Sequence, residues 1–353
     1  MKPWEDKVRR VVPYTPGEQP DAPDMIKLNT NENPYPPAPS VLAAKTAMDE
    51  SRLRLYPDPA AGSLVHALAD TYGVSPEQVF VGVGSDDVLS VAFLTFFNSD
   101  KPILFPDITY SFYPVWADVY RIPYEKKPLN DDFRIVREDY FGENGGIVFP
   151  NPNAPTAYYE NLEFVEDILR HNSDVVVIVD EAYIDFGGRS ALELVDKYDN
   201  LLVVQTFSKS RSMAGLRIGY AIGQPELIRA MNDVKYSINS YTMNMPSLVL
   251  GVEALKDQDY FRECTGRIIR TREWTGAQLR ALGFEFPESK ANFIFARHPR
   301  YDARELFDAL RRENIFVRYF NQPRIDQYLR ITIGTDAQME RLIQFLQSYI
   351  KTN

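Results

Sequence analysis

The segment "VVQTFSKSRSMAGLRIGYAIG", residues 203–223, ends an apolar run in Thr206, Ser208 and Lys209, turns through Ala214 and Gly215, and returns past Arg217 to a second apolar run. A lysine at the end of a buried strand gives up hydration that only a partner or a reaction restores, which makes Lys209 a candidate amine nucleophile. An exposed loop lysine is the plainer alternative. Upstream, "VVVIVD" closes on Asp180. A lone carboxylate is costly to bury there, so it should face a cation or a protonated ring nitrogen, or else cap the next turn or hold a structural arginine. Tyr183, three residues on, adds a phenol. Thr206 and Ser208 offer hydroxyls and Arg217 a planar fork, together a match for a dianionic phosphate. After "VFVGVG", Ser85 opens a helix whose free N–H groups also suit an anion, although an ordinary helix start reads the same way.

These residues need a scaffold that gathers strand ends. Short β-rich runs occur at 78–84, 102–106, 146–150, 174–180, 201–207 and 219–223, several apolar throughout, as in strands covered on both faces of a mainly parallel sheet. Helical patterns such as "DDVLSVAFLTFF" and "NLEFVEDILRHN" lie between them, which predicts an open α/β sheet. Ligands of such sheets bind beyond the carboxyl ends of the strands, where the candidates sit. Residues 1–39, rich in Pro, Asp and Asn, read as an N-terminal arm; 40–245 read as the large domain. Ser40 is the expected N-cap of the first helix, and Gly73 the end of the second. Residues 246–353 read as a smaller α+β domain, entered by a long bridging helix interrupted near Asp257.

The chain has 39 Lys+Arg against 49 Asp+Glu, a net charge of −10, and no long basic run, which argues against nucleic acid or an anionic membrane as partner. No apolar run is long enough to span a bilayer, and "MKPWEDKVRR" has no apolar leader core, so a cytoplasmic location is expected. Cys264 is the single cysteine, and His66, His171 and His298 lack ligand spacing, so no metal site is expected.

An amine, a carboxylate for a pyridinium, a phenol and a phosphate cup form the inventory that pyridoxal 5′-phosphate requires. The ordered set "LNTNENPYPP", "YPD", "GVGSDD", "PDITYSFY", "PNPNAPTA", "VDEAYIDF", "TFSKSRSMAGLRIGYAIG" and "YLRITIGT" resembles the fold-type I aminotransferases, and within them the histidinol-phosphate aminotransferases, over nearly the whole chain. The resemblance implies a seven-stranded, mainly parallel sheet between helices and a smaller α+β C-terminal domain. It implies that Lys209 holds the cofactor as a Schiff base and then moves the substrate proton. Asp180 would meet the pyridine nitrogen, Tyr183 the 3′-oxygen and Tyr110 the ring face, where a core aromatic is the alternative. Ser85, Asp86, Thr206, Ser208 and Arg217 would surround the phosphate.

Tyr56 would reach the phosphate of a neighbouring subunit, which implies a homodimer. Where the family carries "PNNPTG", this chain has Pro152-Asn153-Ala154-Pro155-Thr156-Ala157, and Asn153 is the candidate for the 3′-oxygen. Arg330 would clamp a carboxylate, Arg318 and Arg330 together would accept a phosphate or the carboxylates of glutamate, and Tyr14 would close over the substrate. For Arg318, an ordinary exposed charge on a strand is the alternative. The implied reaction converts L-histidinol phosphate and 2-oxoglutarate to imidazole acetol phosphate and L-glutamate. Threonine-phosphate decarboxylases and aromatic amino-acid aminotransferases share the motifs and are the nearest rivals. A non-catalytic effector module would need a DNA-binding part for which the arm has no room. A dehydrogenase is disfavoured because Gly82-x-Gly84 lacks the third glycine of a dinucleotide fingerprint.

Overall fold

A computed structural model describes residues 2–352. The first stretch is largely irregular, with a two-residue strand β1 (Ile26–Lys27) ahead of helices α1 (Pro39–Thr46) and α2 (Gly62–Tyr72). Helix α2 ends, as expected, on Gly73 at φ 68°. The expected cap of α1 is corrected. Ala38 holds the N-cap position without a side-chain bond, and Pro39 starts the helix, where its missing N–H costs nothing. Ser40 Oγ instead donates to Glu253 O at 3.4 Å and to Asp257 Oδ2 at 3.2 Å, tying α1 to the later helices packed on it.

The alternating region forms β2 (Val79–Gly82), α3 (Ser85–Phe96), β3 (Ile103–Pro106), α4 (Phe112–Tyr120), β4 (Tyr124–Lys127), β5 (Ile147–Pro150), α5 (Leu162–His171), β6 (Val177–Asp180), β7 (Leu201–Thr206) and β8 (Gly219–Gly223). These strands make one seven-stranded sheet in the order β2-β8-β7-β6-β5-β3-β4. Strand β8 is antiparallel to both neighbours, and the other pairs are parallel. Six strands are buried at every residue, as the apolar runs require. The seventh, β4, escaped the sequence criterion because "YEKK" lies at the sheet edge and is only partly covered.

Side chains alternate across the strands into two apolar clusters. Val177, Val179 and Val203 point to one face, Ile178, Leu202 and Val204 to the other. Each such side chain contributes about 1.5–3 kcal/mol on leaving water. The remaining chain builds α6 (Pro225–Ile238), α7 (Met245–Lys256), α8 (Gln258–Ala281), β9 (Phe293–Ala296), α9 (Ala303–Arg312), β10 (Ile315–Phe316), β11 (Arg318–Tyr319), β12 (Leu329–Thr332) and α10 (Asp336–Thr352). The long helical stretch breaks at Asp257, whose carboxylate accepts from Tyr260 N and caps α8. Leu248, Leu250, Ala254 and Leu255 of α7 join the cluster under the large sheet.

Strands β11-β12-β9 form an antiparallel sheet, and β10 pairs in parallel with β1, Ile26 opposite Ile315. The second half of the N-terminal arm is therefore structured: Leu28 is buried in the cluster built by α8, α9 and α10. This contact brings residues 29–32 to the mouth of the large sheet.

Candidate active site

Because β8 runs against β7, with Thr206 opposite Gly219, Arg217 just before β8 lies at the same sheet edge as the ends of β6 and β7. Gly82 at the end of β2 also stands opposite Gly219, so Ser85 at the start of α3 reaches that edge too. Gly84 at φ 83° leaves the Arg217 guanidinium room to cross, since a Cβ there would stand 2.4 Å from Arg217 Nη2. The result is a cavity of about 270 Å³ lined by Lys209, Asp180, Tyr183, Tyr110, Ser85 and Asp86, by Thr206, Ser208 and Arg217, and by Tyr14, Arg318 and Arg330. Twelve of the fourteen candidate residues thus share one wall.

Their hydrogen bonds fix them before any ligand arrives. Asp180 accepts from Tyr113 Oη at 2.9 Å and from Ala182 N at 3.3 Å, and burial pushes its carboxyl up to about 6. A buried acid of that kind is well placed to meet a cation. Asp86 accepts from Tyr110 Oη at 2.7 Å and from Arg217 Nη2 at 3.1 Å. Arg217 Nη1 also reaches Ser208 Oγ at 3.3 Å, and Thr206 Oγ1 donates to Ser208 Oγ at 3.0 Å. Arg318 and Arg330 stand opposite each other across β11 and β12. Arg330 Nη2 donates to Asn29 O at 2.9 Å, but its buried Nε has no partner among the described residues. A buried, unfilled guanidinium donor beside a second arginine is a site built for an oxyanion.

Lys209 Nζ donates to Thr30 O at 3.0 Å, and Asn33 Nδ2 donates to Lys209 O at 3.1 Å. Burial, then Arg330, lower the lysine from an ordinary 10.5 to about 8, so a large share of the amine is neutral in mildly alkaline solution. Below pH 8 the ammonium is charged in both the folded and the unfolded chain, and its lost hydration counts fully against folding. Between 8 and 10.5 the folded chain sheds the proton that the unfolded chain keeps, and the penalty fades. The cofactor-free variant Lys209→Met should therefore unfold at higher urea than the parent at pH 7, by up to roughly 3 kcal/mol. The gap should narrow steadily above pH 8; equal stability of the two chains at pH 7 would contradict the assigned burial.

Two candidates lie elsewhere. Tyr56 is 82% exposed, with its ring 4.7 Å from Tyr241, outside the cavity of its own chain. Asn153, the candidate for the 3′-oxygen, is not among the residues that line the cavity: its amide donates to Ile108 O at 3.0 Å and to Thr156 Oγ1 at 2.9 Å, and its carbonyl accepts from Thr109 Oγ1 at 3.1 Å. With its polar atoms committed behind the wall, Ala154 and Pro155 face the cavity instead. Sequence reading also missed Thr30, Asn31 and Glu32, which line the cavity, and Tyr113, which holds Asp180. The signal for the first three was the polar run "NTNEN", read only as resistant to regular structure.

The family model for aminotransferase class I and II matches residues 23–346. The chain is 52% identical over 350 residues to histidinol-phosphate aminotransferase of Lactococcus lactis, covering 99% of this chain and 97% of that one. It is 53% identical over 348 residues to histidinol-phosphate aminotransferase 2 of Dechloromonas aromatica, covering 98% of each. Among solved structures, histidinol-phosphate aminotransferase from Sinorhizobium meliloti in complex with pyridoxal-5′-phosphate aligns with a TM-score of 0.84 and 26% identity over 93% of this chain and 91% of that one. The enzyme from Clostridium acetobutylicum aligns with a TM-score of 0.86 at 22% identity over 93% of this chain and 100% of that one, a likeness of fold. By the family match over residues 23–346 and by identity above 50% to these relatives over nearly the whole chain, the chain belongs to the aminotransferase class I and II family, among its histidinol-phosphate aminotransferases.

Proposed function

We propose that this protein is a pyridoxal-phosphate-dependent transaminase that moves the amino group of L-histidinol phosphate to 2-oxoglutarate, in the biosynthesis of histidine in the cytoplasm. The observation that carries the reading is the placement of Lys209 and Asp180 in one cavity with Arg318 and Arg330, the buried Nε of Arg330 having no partner among the described residues. The residues fit the cofactor. Asp180, with carboxylate lone pairs to spare, would meet the pyridine nitrogen, and Tyr110 would cover the ring. Ser208, Thr206, Arg217 and the free N–H groups from Ser85 onward would hold the phosphate. Asp86, a like charge to that phosphate, serves by orienting Arg217 and Tyr110. When bound, pyridoxal phosphate supplies an aldehyde for the amine and an electron-poor ring that weakens the bond to the substrate's α-hydrogen.

The chain's own groups do the rest. Lys209 Nζ takes the proton from the substrate carbon that bears nitrogen and returns one when the oxo acid is the partner; its depressed pKa suits that exchange near neutrality. Arg330 and Arg318 grip the phosphate of one substrate and a carboxylate of the other, so a single cationic pair serves both half-reactions. Tyr14, stacked on Phe112 at 4.2 Å, closes the mouth and excludes water. Tyr56 completes the phosphate cup of a second copy. Its ring lies 4.7 Å from the exposed Tyr241, and Leu53 and Leu55 just before it in the chain are exposed too, apolar surface of the kind that a homodimer interface covers.

Incubation with L-histidinol phosphate and 2-oxoglutarate should produce glutamate, faster than with phenylalanine or tyrosine, from a species sedimenting at twice 40.5 kDa. Release of CO₂ from threonine phosphate without glutamate would replace this reading by the decarboxylase. Glutamate formed only from aromatic amino acids would replace it by their aminotransferase.

A further inference from the structure

Asn31 is 1% exposed and left-handed, at φ 56°, at the cavity wall, and its hydrogen bonds have forced directions. Its backbone N–H can only donate, and it does so to Thr332 Oγ1 at 3.1 Å. The Thr332 hydroxyl proton goes to Asn31 Oδ1 at 2.9 Å. With the carbonyl oxygen so engaged, the amide turns Nδ2 toward Tyr183 and donates to the phenolic oxygen at 2.9 Å. Asn292 Nδ2 donates to Asn31 O at 2.9 Å and steadies the backbone from the opposite side. Tyr183 accepts from Asn31, so its own proton must point elsewhere, and among the described residues no acceptor of this chain receives it. The cavity lies in front of it.

We infer that Asn31 and Thr332 are positioning residues that aim the Tyr183 proton at the 3′-oxygen of bound pyridoxal phosphate; this rests on the cofactor reading above. The relay gathers three distant parts of the chain: the segment before α1, the end of β12 and the loop after β6. A hydrogen bond to that oxygen favours its anionic form, so it favours proton loss from the neighbouring Lys209–cofactor linkage and lowers the linkage pKa. If the relay is released, the phenol is free to rotate and the pKa rises.

The test is an absorbance titration of the loaded enzyme, which reads the pH at which the linkage is half-protonated. Tyr183→Phe should raise that midpoint by about 1 pH unit, the scale of one hydrogen bond to a charged group. Asn31→Ala and the isosteric Thr332→Val should each raise it by a part of that amount, and neither should move it further in the Tyr183→Phe background. An unchanged midpoint in both single variants, or an equal shift with Phe at 183, overturns the relay. A parent chain that takes up no pyridoxal phosphate defeats the cofactor reading itself, and is recognised by the absence of colour before any variant is made.

Discussion

Lys209→Ala abolishes amino transfer: turnover of L-histidinol phosphate with 2-oxoglutarate falls by about 10⁴-fold or more, while the chain still folds and still binds the cofactor's phosphate. The phosphate cup, Ser208, Thr206 and Arg217, does not depend on the lysine side chain. Borohydride, which fixes the cofactor covalently in the parent, leaves it removable in the variant. Lys209→Arg should be no better than alanine, because a guanidinium stays charged far above pH 8 and offers no neutral nitrogen. A small amine such as methylamine has space in the cavity vacated at 209 and should restore part of the rate, which separates lost chemistry from lost fold. Retention of more than a tenth of the parent rate by Lys209→Ala would remove the lysine from the mechanism.

Arg330→Ala should lower kcat/KM by roughly 10²–10⁴-fold for both substrates, since removing one partner of a buried ionic contact costs about 3–5 kcal/mol and each 1.36 kcal/mol is tenfold. The loss is shared because the same guanidinium meets the phosphate in one half-reaction and the carboxylate in the other. Arg318→Ala, at a half-buried position on β11, should cost less, on the order of tenfold. A second effect follows from electrostatics. Arg330 is the largest charged influence lowering Lys209, so its removal raises the lysine, and the pH for half-maximal capture of pyridoxal phosphate by the cofactor-free chain moves above about 8. If Arg330→Ala weakened glutamate alone and spared histidinol phosphate, the shared cationic site would be wrong.

The exposed ring of Tyr56 and the buried relay through Asn31 mark two kinds of residue that one-dimensional reading treats unequally. Tyr56 stood out only by resemblance to a family, since nothing in its local pattern distinguishes a ring that faces water from one that serves a second copy. Asn31 carries no apolar periodicity at all. Its role exists only because β1 pairs with β10 and delivers the arm to the mouth of the large sheet.

The sequence alone determined the six apolar strands, the helices between them and the chemistry stationed at their ends. Burial on both faces demands unbroken Val, Ile and Leu, so Lys209 and Asp180 at the ends of such runs were legible as costly and therefore purposeful. Tertiary structure alone decided which atoms face the cavity. Asn153 and Ala154 are neighbours of opposite fate, because one amide is consumed by Ile108, Thr109 and Thr156 while the next side chain meets the open space. Likewise β4 carries no hydrophobic signature because its edge of the sheet is left partly uncovered, whereas β2 at the opposite edge is covered throughout, and the direction of the Tyr183 proton depends on Thr332, a residue 149 positions away in the chain. Hydrogen-bond partners at that separation are set by the packing of sheets and helices, which no local window of residues encodes.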